Sequence, residues 1–156
     1  MAIQRKLYQK LEKHLSKKEF TIIIGPRQVG KTTLLKQLYE KVKKEKQSAV
    51  ILSLEDPEIK AQINAHPDNV FKYIPKPTSK NKVYLFIDEV QYAKDPSHFL
   101  KYLFDHYAPS LKVIVMLPEL ENDEVPFEGL KVTVGAVVSL LKNVEVGVVP
   151  NPESPE

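Results

Sequence analysis

The chain has 156 residues, 42% hydrophobic and 28% charged, a composition that supports one folded domain with a core. It holds no cysteine, which excludes disulfide scaffolds and Cys-ligated zinc or iron–sulfur sites, and no apolar run near the roughly 20 residues that cross a bilayer. The net charge of +3 is uneven: residues 1–112 carry 21 Lys+Arg against 12 Asp+Glu, and residues 113–156 carry 2 against 8. Met1 to Lys6 shows no apolar signal core, so a cytoplasmic location is expected, with no membrane association.

Leu7, Tyr8, Leu11 and Leu15 recur at helical spacing between Arg5 and Lys18. Phe20 to Ile24 is a short apolar run, the mark of a buried strand. The glycine-bounded stretch Gly25 to Gly30 breaks it. Lys31 to Lys46 reads as a helix with Leu34, Leu35, Leu38 and Val42 on one face, and Ala49 to Leu54 as a second strand. Asp56-Pro57-Glu58 opens a helix running to about Ala65: a carboxylate cap, a proline at the first position, then an acid. His66 to Lys82, with three prolines, is expected to be mostly loop. Val83 to Ile87 is a third buried strand ending at Asp88-Glu89. Asp95-Pro96 repeats the helix start, with Phe99, Leu100, Leu103 and Phe104 facing inward, and Leu111 to Leu117 is a fourth strand. Alternating strands and helices predict an α/β fold with a mainly parallel sheet covered on both faces.

The last 44 residues hold 11 valines and one aromatic residue, Phe127. Three pieces there, Lys131 to Val134, Val137 to Leu141 and Val144 to Val149, read as further strands. The expected division is a core at 1–115, an atypical Val-rich segment at 116–149 that completes the sheet, and a disordered tail at 150–156.

Gly25-Pro26-Arg27-Gln28-Val29-Gly30-Lys31-Thr32 fits the Walker A pattern G-x-x-x-x-G-K-[ST]. The two glycines let the backbone curl so that successive amides point at phosphate oxygens. The following helix sets its positive end on the same phosphates. Lys31 reaches the β- and γ-phosphates, and the Thr32 hydroxyl ligates Mg²⁺. Gly25 to Thr33 is therefore the nucleotide-binding stretch, with ATP and Mg²⁺ as the expected ligands. A strand directly before it and an amphipathic helix directly after it supply the context that the mechanism needs.

A metal-bound nucleotide calls for a carboxylate at the end of a neighbouring strand. Asp88 takes that place and would hold Mg²⁺, and Glu89 is placed to activate the attacking water as general base. The 57 positions from Lys31 to Asp88 hold a helix, a strand and a second helix. That spacing predicts one extra strand lying between the phosphate-loop strand and the strand that carries Asp88.

These residues carry a resemblance. Gly25-Pro-Arg-Gln-Val-Gly-Lys-Thr-Thr-Leu-Leu34, Leu54-Glu-Asp-Pro57 and Leu85-Phe-Ile-Asp-Glu-Val-Gln91 are similar to the prokaryotic AAA+-like P-loop ATPases. More narrowly, they resemble the archaeal and bacterial kind whose ATPase domain continues into a C-terminal domain of uncertain function. The resemblance covers about residues 1–115. It implies a three-layer αβα sandwich, ATP and Mg²⁺ as ligands, Lys31 and Thr32 in Walker A, and Asp88 and Glu89 in Walker B. It also implies a polar sensor after the fourth strand, where this chain has Met116-Leu117-Pro118.

Arg27 serves either as a γ-phosphate or subunit contact or as a plain loop charge. Arg5, the only other arginine, reads as helix surface, so the domain lacks an evident arginine finger and is expected to hydrolyse ATP slowly unless a partner supplies one. Gln91 is a candidate to bond Glu89 or orient water. His14, His66, His98 and His106 lack metal-ligand spacing and read as surface or packing residues. Tyr102, Phe104 and Tyr107 read as core, and the lysines of 41–46 as a solvated helix end.

Three functions follow from these residues. The first is Mg-dependent ATP binding with slow hydrolysis, Lys31 and Glu89 being the catalytic pair. The second is a non-hydrolysing nucleotide-binding or nucleic-acid/protein-interaction module. The third is a small-molecule kinase, which the shortage of arginines disfavours. A homo-oligomer or a partner protein is compatible with the first two, and nucleic acid is a weaker candidate partner.

Overall fold

The computed structural model describes residues 8–9, 11–25 and 31–118. In chain order they form β1 (Thr21–Gly25), α1 (Lys31–Lys44), β2 (Ser48–Ser53), α2 (Pro57–Ala65), β3 (Val83–Asp88), α3 (Pro96–Tyr107) and β4 (Leu111–Pro118). The strands form a parallel sheet in the order β1-β4-β3-β2. One strand does separate β1 from β3, but it is β4, which follows Asp88 in sequence; β2, the strand that the Lys31–Asp88 spacing holds, lies at the sheet edge beyond β3.

β1, β2 and β3 each lead into a helix that returns the chain to a further parallel strand. The helix starts are written in the sequence. The Asp56 carboxylate accepts from the amides of Glu58 (2.9 Å) and Ile59 (3.3 Å), and Pro57 opens α2, where a missing N–H costs nothing. Asp95 accepts from the His98 amide at 3.0 Å, and Pro96 opens α3 in the same way. α1 stops at Lys44, two residues before the expected end, because Lys46 turns left-handed (φ 60°) and Gln47 donates back to the Val42 carbonyl at 3.2 Å.

Alternation along the strands divides the core between two faces. Val83, Leu85 and Ile87 of β3 pack with Val113 and Val115 of β4, Ile63 of α2 and Phe99, Leu100 and Leu103 of α3. Tyr84 and Phe86 point the other way, with Ile114 and Met116, and pack against Leu34, Leu35, Leu38 and Val42 of α1 and Leu11 and Leu15. The result is a three-layer αβα sandwich. β3 and β4 are buried on both faces, which is why they read as continuous apolar runs.

The stretch from His66 to Lys82 is more ordered than its prolines suggest. Pro67–Lys72 is a 3₁₀ turn with proline at its first position and His66 as its cap. Asp68 in this turn accepts hydrogen bonds from the hydroxyls of Tyr102 (3.0 Å) and Tyr107 (2.5 Å) on α3. Val70 and Ile74 complete the core beneath it. Phe104 is core, as expected, and Tyr102 and Tyr107 pack against that core while their hydroxyls serve Asp68. The strand pieces expected after Pro118 and the disordered tail lie outside the described residues.

Candidate functional site

In a parallel sheet all the strand carboxyl ends share one edge. That edge gathers the end of β1 at Gly25, the end of β3 at Asp88 and the end of β2 at Ser53. Gly25 closes β1, and Lys31, Thr32 and Thr33 form the start of α1. The strand and the helix that frame the phosphate-loop motif are thus both present, five residues apart. Pro26, Arg27, Gln28, Val29 and Gly30 lie outside the described residues.

β4 separates β1 from β3, so the backbones that end at Gly25 and Asp88 run about 10 Å apart. The register Gly25–Pro118 puts the apolar end of β4, Met116-Leu117-Pro118, beside the end of β1. Asp88 is half-buried, and its carbonyl accepts from the Leu54 amide at 3.1 Å.

Glu89 follows immediately and changes the direction of the chain. Its backbone is left-handed (φ 59°, ψ 43°), a region that costs a residue with a Cβ roughly 1 kcal/mol or more. A short 3₁₀ turn, Val90–Tyr92, follows. The Gln91 side-chain amide donates to the Glu89 carboxylate, one of the two roles expected of Gln91. The other side-chain atom, Gln91 Oε1, is buried and has no hydrogen-bond partner among the described residues. Val90 beneath this pair is fully buried and anchors the turn to the core.

Sequence reading passed over Ser53. It ends β2 directly opposite Asp88 in the register, and its hydroxyl accepts from the Glu55 amide at 3.2 Å. The available signal was a hydroxyl breaking the apolar run of Ala49 to Leu54. Sequence reading also passed over Lys112, which is fully buried in β4. Its ammonium donates to the Glu19 carbonyl and lies 3.3 Å from His14 Nδ1, which is 2.5 Å from the Thr21 hydroxyl. This cluster sits at the amino ends of β1 and β4, the opposite end of the sheet from Asp88. Burial lowers the Lys112 pKa to about 7, with repulsion from Lys82 and Lys17 adding to it. His14 is lowered to about 4, first by burial and then by Lys112.

The histidines are packing or surface residues, as their spacing suggested. His14 is buried, His66 caps a turn, and His98 and His106 are exposed. Among the described residues no group of three or more His, Asp or Glu is arranged to hold a metal by itself. Among the same residues no helix is long and apolar enough to cross a membrane.

Comparison with known proteins agrees with this geometry. A family model described as an AAA domain matches residues 17–116. No curated protein matches the chain in sequence. A solved DNA replication initiation factor is similar over 82% of this chain and 43% of its own, with 20% identity and a TM-score of 0.53. The replication initiator DnaA bound to AMPPCP and single-stranded DNA is similar over 88% of this chain and 43% of its own, with 17% identity and a TM-score of 0.52. This chain spans less than half the length of either structure, and at these identities the likeness is one of fold. The family match covers the strand–loop–helix frame and the strand that ends at Asp88-Glu89: the chain belongs to the AAA domain family and carries an AAA+-like P-loop fold.

Proposed function

We propose that this domain binds Mg-ATP at the carboxyl edge of its sheet and hydrolyses it slowly. The observation that supports this best is the placement of two sequence-distant motifs on one edge. The Walker A sequence lies between β1 and α1, and Asp88-Glu89 closes β3 one strand further on. The similar replication initiator was solved bound to AMPPCP, which supports a nucleotide as the ligand.

In this reading the backbone amides of residues 25–33 and the amino end of α1 hold the phosphates, and Lys31 neutralises the β- and γ-oxygens. Thr32 and Asp88 are the residues that would hold Mg²⁺. The donor set suits it, because a hydroxyl and one carboxylate leave positions for water and phosphate oxygens. The ion supplies charge neutralisation on the phosphates. Glu89 takes the proton of the attacking water as its oxygen bonds to the γ-phosphorus. The bond to the bridging oxygen breaks, and ADP and phosphate leave. Gln91 fixes the Glu89 carboxylate from one side. Arg27 is the one arginine near the loop in sequence, so the rate is limited by the lack of a further cation on the transferring group. A homo-oligomer or a partner protein is the natural source of one.

Calorimetric titration of the full chain with ATP and Mg²⁺, beside the Lys31→Ala variant, tests the binding step. Saturable binding that the variant loses is expected. A folded chain that binds no ATP in either form removes the proposal. The apolar end of β4 favours a second reading, nucleotide binding without turnover, because Met116, Leu117 and Pro118 carry no polar side-chain group that could orient water. Phosphate release at the same trace rate in the wild type and in Glu89→Gln would establish that reading.

A further inference from the structure

The same parallel topology that gathers acids at one edge gathers lysines at the other. Connections that enter the strands all lie at the amino end of the sheet. Lys17 and Lys18 precede β1, Lys44 and Lys46 precede β2, and Lys80 and Lys82 precede β3. The segments 17–20, 44–47 and 78–82 hold six lysines against two acids, Glu19 and Glu45. Glu45 is already paired with Lys41 at 2.9 Å. The described connections leaving the strands are of the opposite sign, with Glu55, Asp56, Glu89 and Asp95 against Lys94. The described connections are thus polarised along the strands, with the positive end opposite the edge where β2 and β3 end.

These lysines are far apart in sequence and close in space. The Ser48 hydroxyl bonds Asn81 Oδ1 at 3.3 Å, tying the start of β2 to the turn that carries Lys80 and Lys82. The Lys112 ammonium donates to the Glu19 carbonyl and the Val83 amide donates to the Ser110 carbonyl at 3.0 Å, so the segments before β1 and β3 flank the start of β4. Lys46 adds an independent sign. It occupies the left-handed position after α1, where glycine is the favoured residue and a Cβ costs roughly 1 kcal/mol. A charge is kept there at the expense of local stability.

We propose that the amino end of the sheet is a docking surface for the phosphate backbone of a nucleic-acid duplex, bound without base specificity. Lysines are point charges on flexible stems, suited to phosphates and unable to read bases or fork onto carboxylates as arginine does. The edge spans three strand spacings, about 14 Å, comparable with a few successive phosphates of a duplex. The Tyr84 ring at this end is buried and lies under Lys82, 4.9 Å from its ammonium, so it offers no platform for stacking single-stranded bases. The large apolar side chains exposed among the described residues are Ile51 and Tyr92, and neither lies at this end of the sheet. This surface is independent of the ATP reading.

The test is fluorescence anisotropy of a labelled random-sequence 20-base-pair DNA duplex with the full chain, over a range of salt. The variants are Lys44→Glu/Lys46→Glu/Lys80→Glu at the amino end and Lys94→Glu at the opposite end. Saturable binding near 50 mM salt is expected. The triple variant should weaken it at least about tenfold and lower the slope of log K against log salt by about 3, while Lys94→Glu leaves both unchanged. Lys46→Gly separates charge from folding, because it should raise stability while still weakening the duplex. Failure to bind at low salt, equal binding by the triple variant, or full competition by Mg-ATP overturns the proposal. So does binding to phosphatidylserine vesicles with none to the duplex, which would assign the surface to a membrane.

Discussion

The side-chain amide of Gln91 holds the carboxylate of Glu89, and Glu89 itself stands in left-handed backbone at the end of β3. A carboxylate that follows a buried strand in extended backbone would swing with solvent. Here the turn over Val90 and the amide of Gln91 set its direction, at the cost of a strained backbone. Strain that the core sustains next to a charged group is the signature of a positioned group, and the proposed water activation depends on it.

Glu89→Gln should leave ATP affinity within about threefold of wild type and lower turnover at least 100-fold, as expected for loss of a general base. Gln91→Ala should leave binding intact and reduce turnover by a smaller factor, roughly tenfold, because it loosens the carboxylate without removing it. Single-turnover phosphate release measured with both variants checks the order. A larger defect in Gln91→Ala than in Glu89→Gln would contradict the assignment of the base.

Glu89→Gly should stabilise the fold by about 0.5–1 kcal/mol while abolishing hydrolysis, since glycine takes up φ 59° without the Cβ penalty. Urea denaturation at neutral pH measures it. A Glu89→Gly protein less stable than wild type would mean that the side chain contributes more than its backbone costs.

Asp88→Ala should weaken nucleotide binding in the presence of Mg²⁺ far more than in its absence. Chelation of the metal should bring the wild type down to the level of the variant. Titrations with and without EDTA check this. An affinity that ignores both changes would exclude Asp88 from the metal site.

Lys112 makes the stability of the domain depend on pH. Its folded pKa, about 7, is depressed from 10.5 by burial, so between those values the unfolded chain holds a proton that the folded one lacks. Stability should therefore rise as pH increases from 7 toward 9.5, and the cost of charging the buried amine should be fully present below about pH 7. His14, lowered to about 4, acts in the same sense at lower pH, with stability falling as pH drops from 6.5 to 4. In Lys112→Met the rise above pH 7 should flatten. Parallel curves for the two proteins between pH 7 and 9.5 would refute this account.

Asp68→Ala should cost about 1 kcal/mol, because it strips the hydroxyls of Tyr102 and Tyr107 of a shared acceptor in a half-exposed setting. The Tyr107 bond, with that of Tyr102, holds the Asp68 carboxyl below its ordinary pKa. This contribution is complete above about pH 4 and disappears as pH falls further. Thermal melts at pH 7 and pH 3 should show the wild type and the variant converging at the lower pH.

Most of the framework was legible in the residues. The starts of α2 and α3 followed from Asp-Pro pairs because capping is local chemistry. The strands followed from apolar runs because buried parallel strands are covered on both faces. The turn at Pro67–Lys72 was missed because its anchor is Asp68, whose partners Tyr102 and Tyr107 lie more than 30 residues away. Ser53 was missed because its place opposite Asp88 is a matter of strand register, which no local pattern encodes.

The phosphate-loop motif, the acidic pair after the third strand and the alternation that makes an αβα sandwich can all be read along the chain. Each of these rests on neighbours within a few residues or on a fixed period. Only the tertiary structure decided what meets what. It put Ser53 across from Asp88, Lys112 against His14, and Asp68 under Tyr102 and Tyr107. Those relations depend on strand order and direction, and a polar group enters the core only where distant segments bring it a partner, so no reading along the chain could supply them.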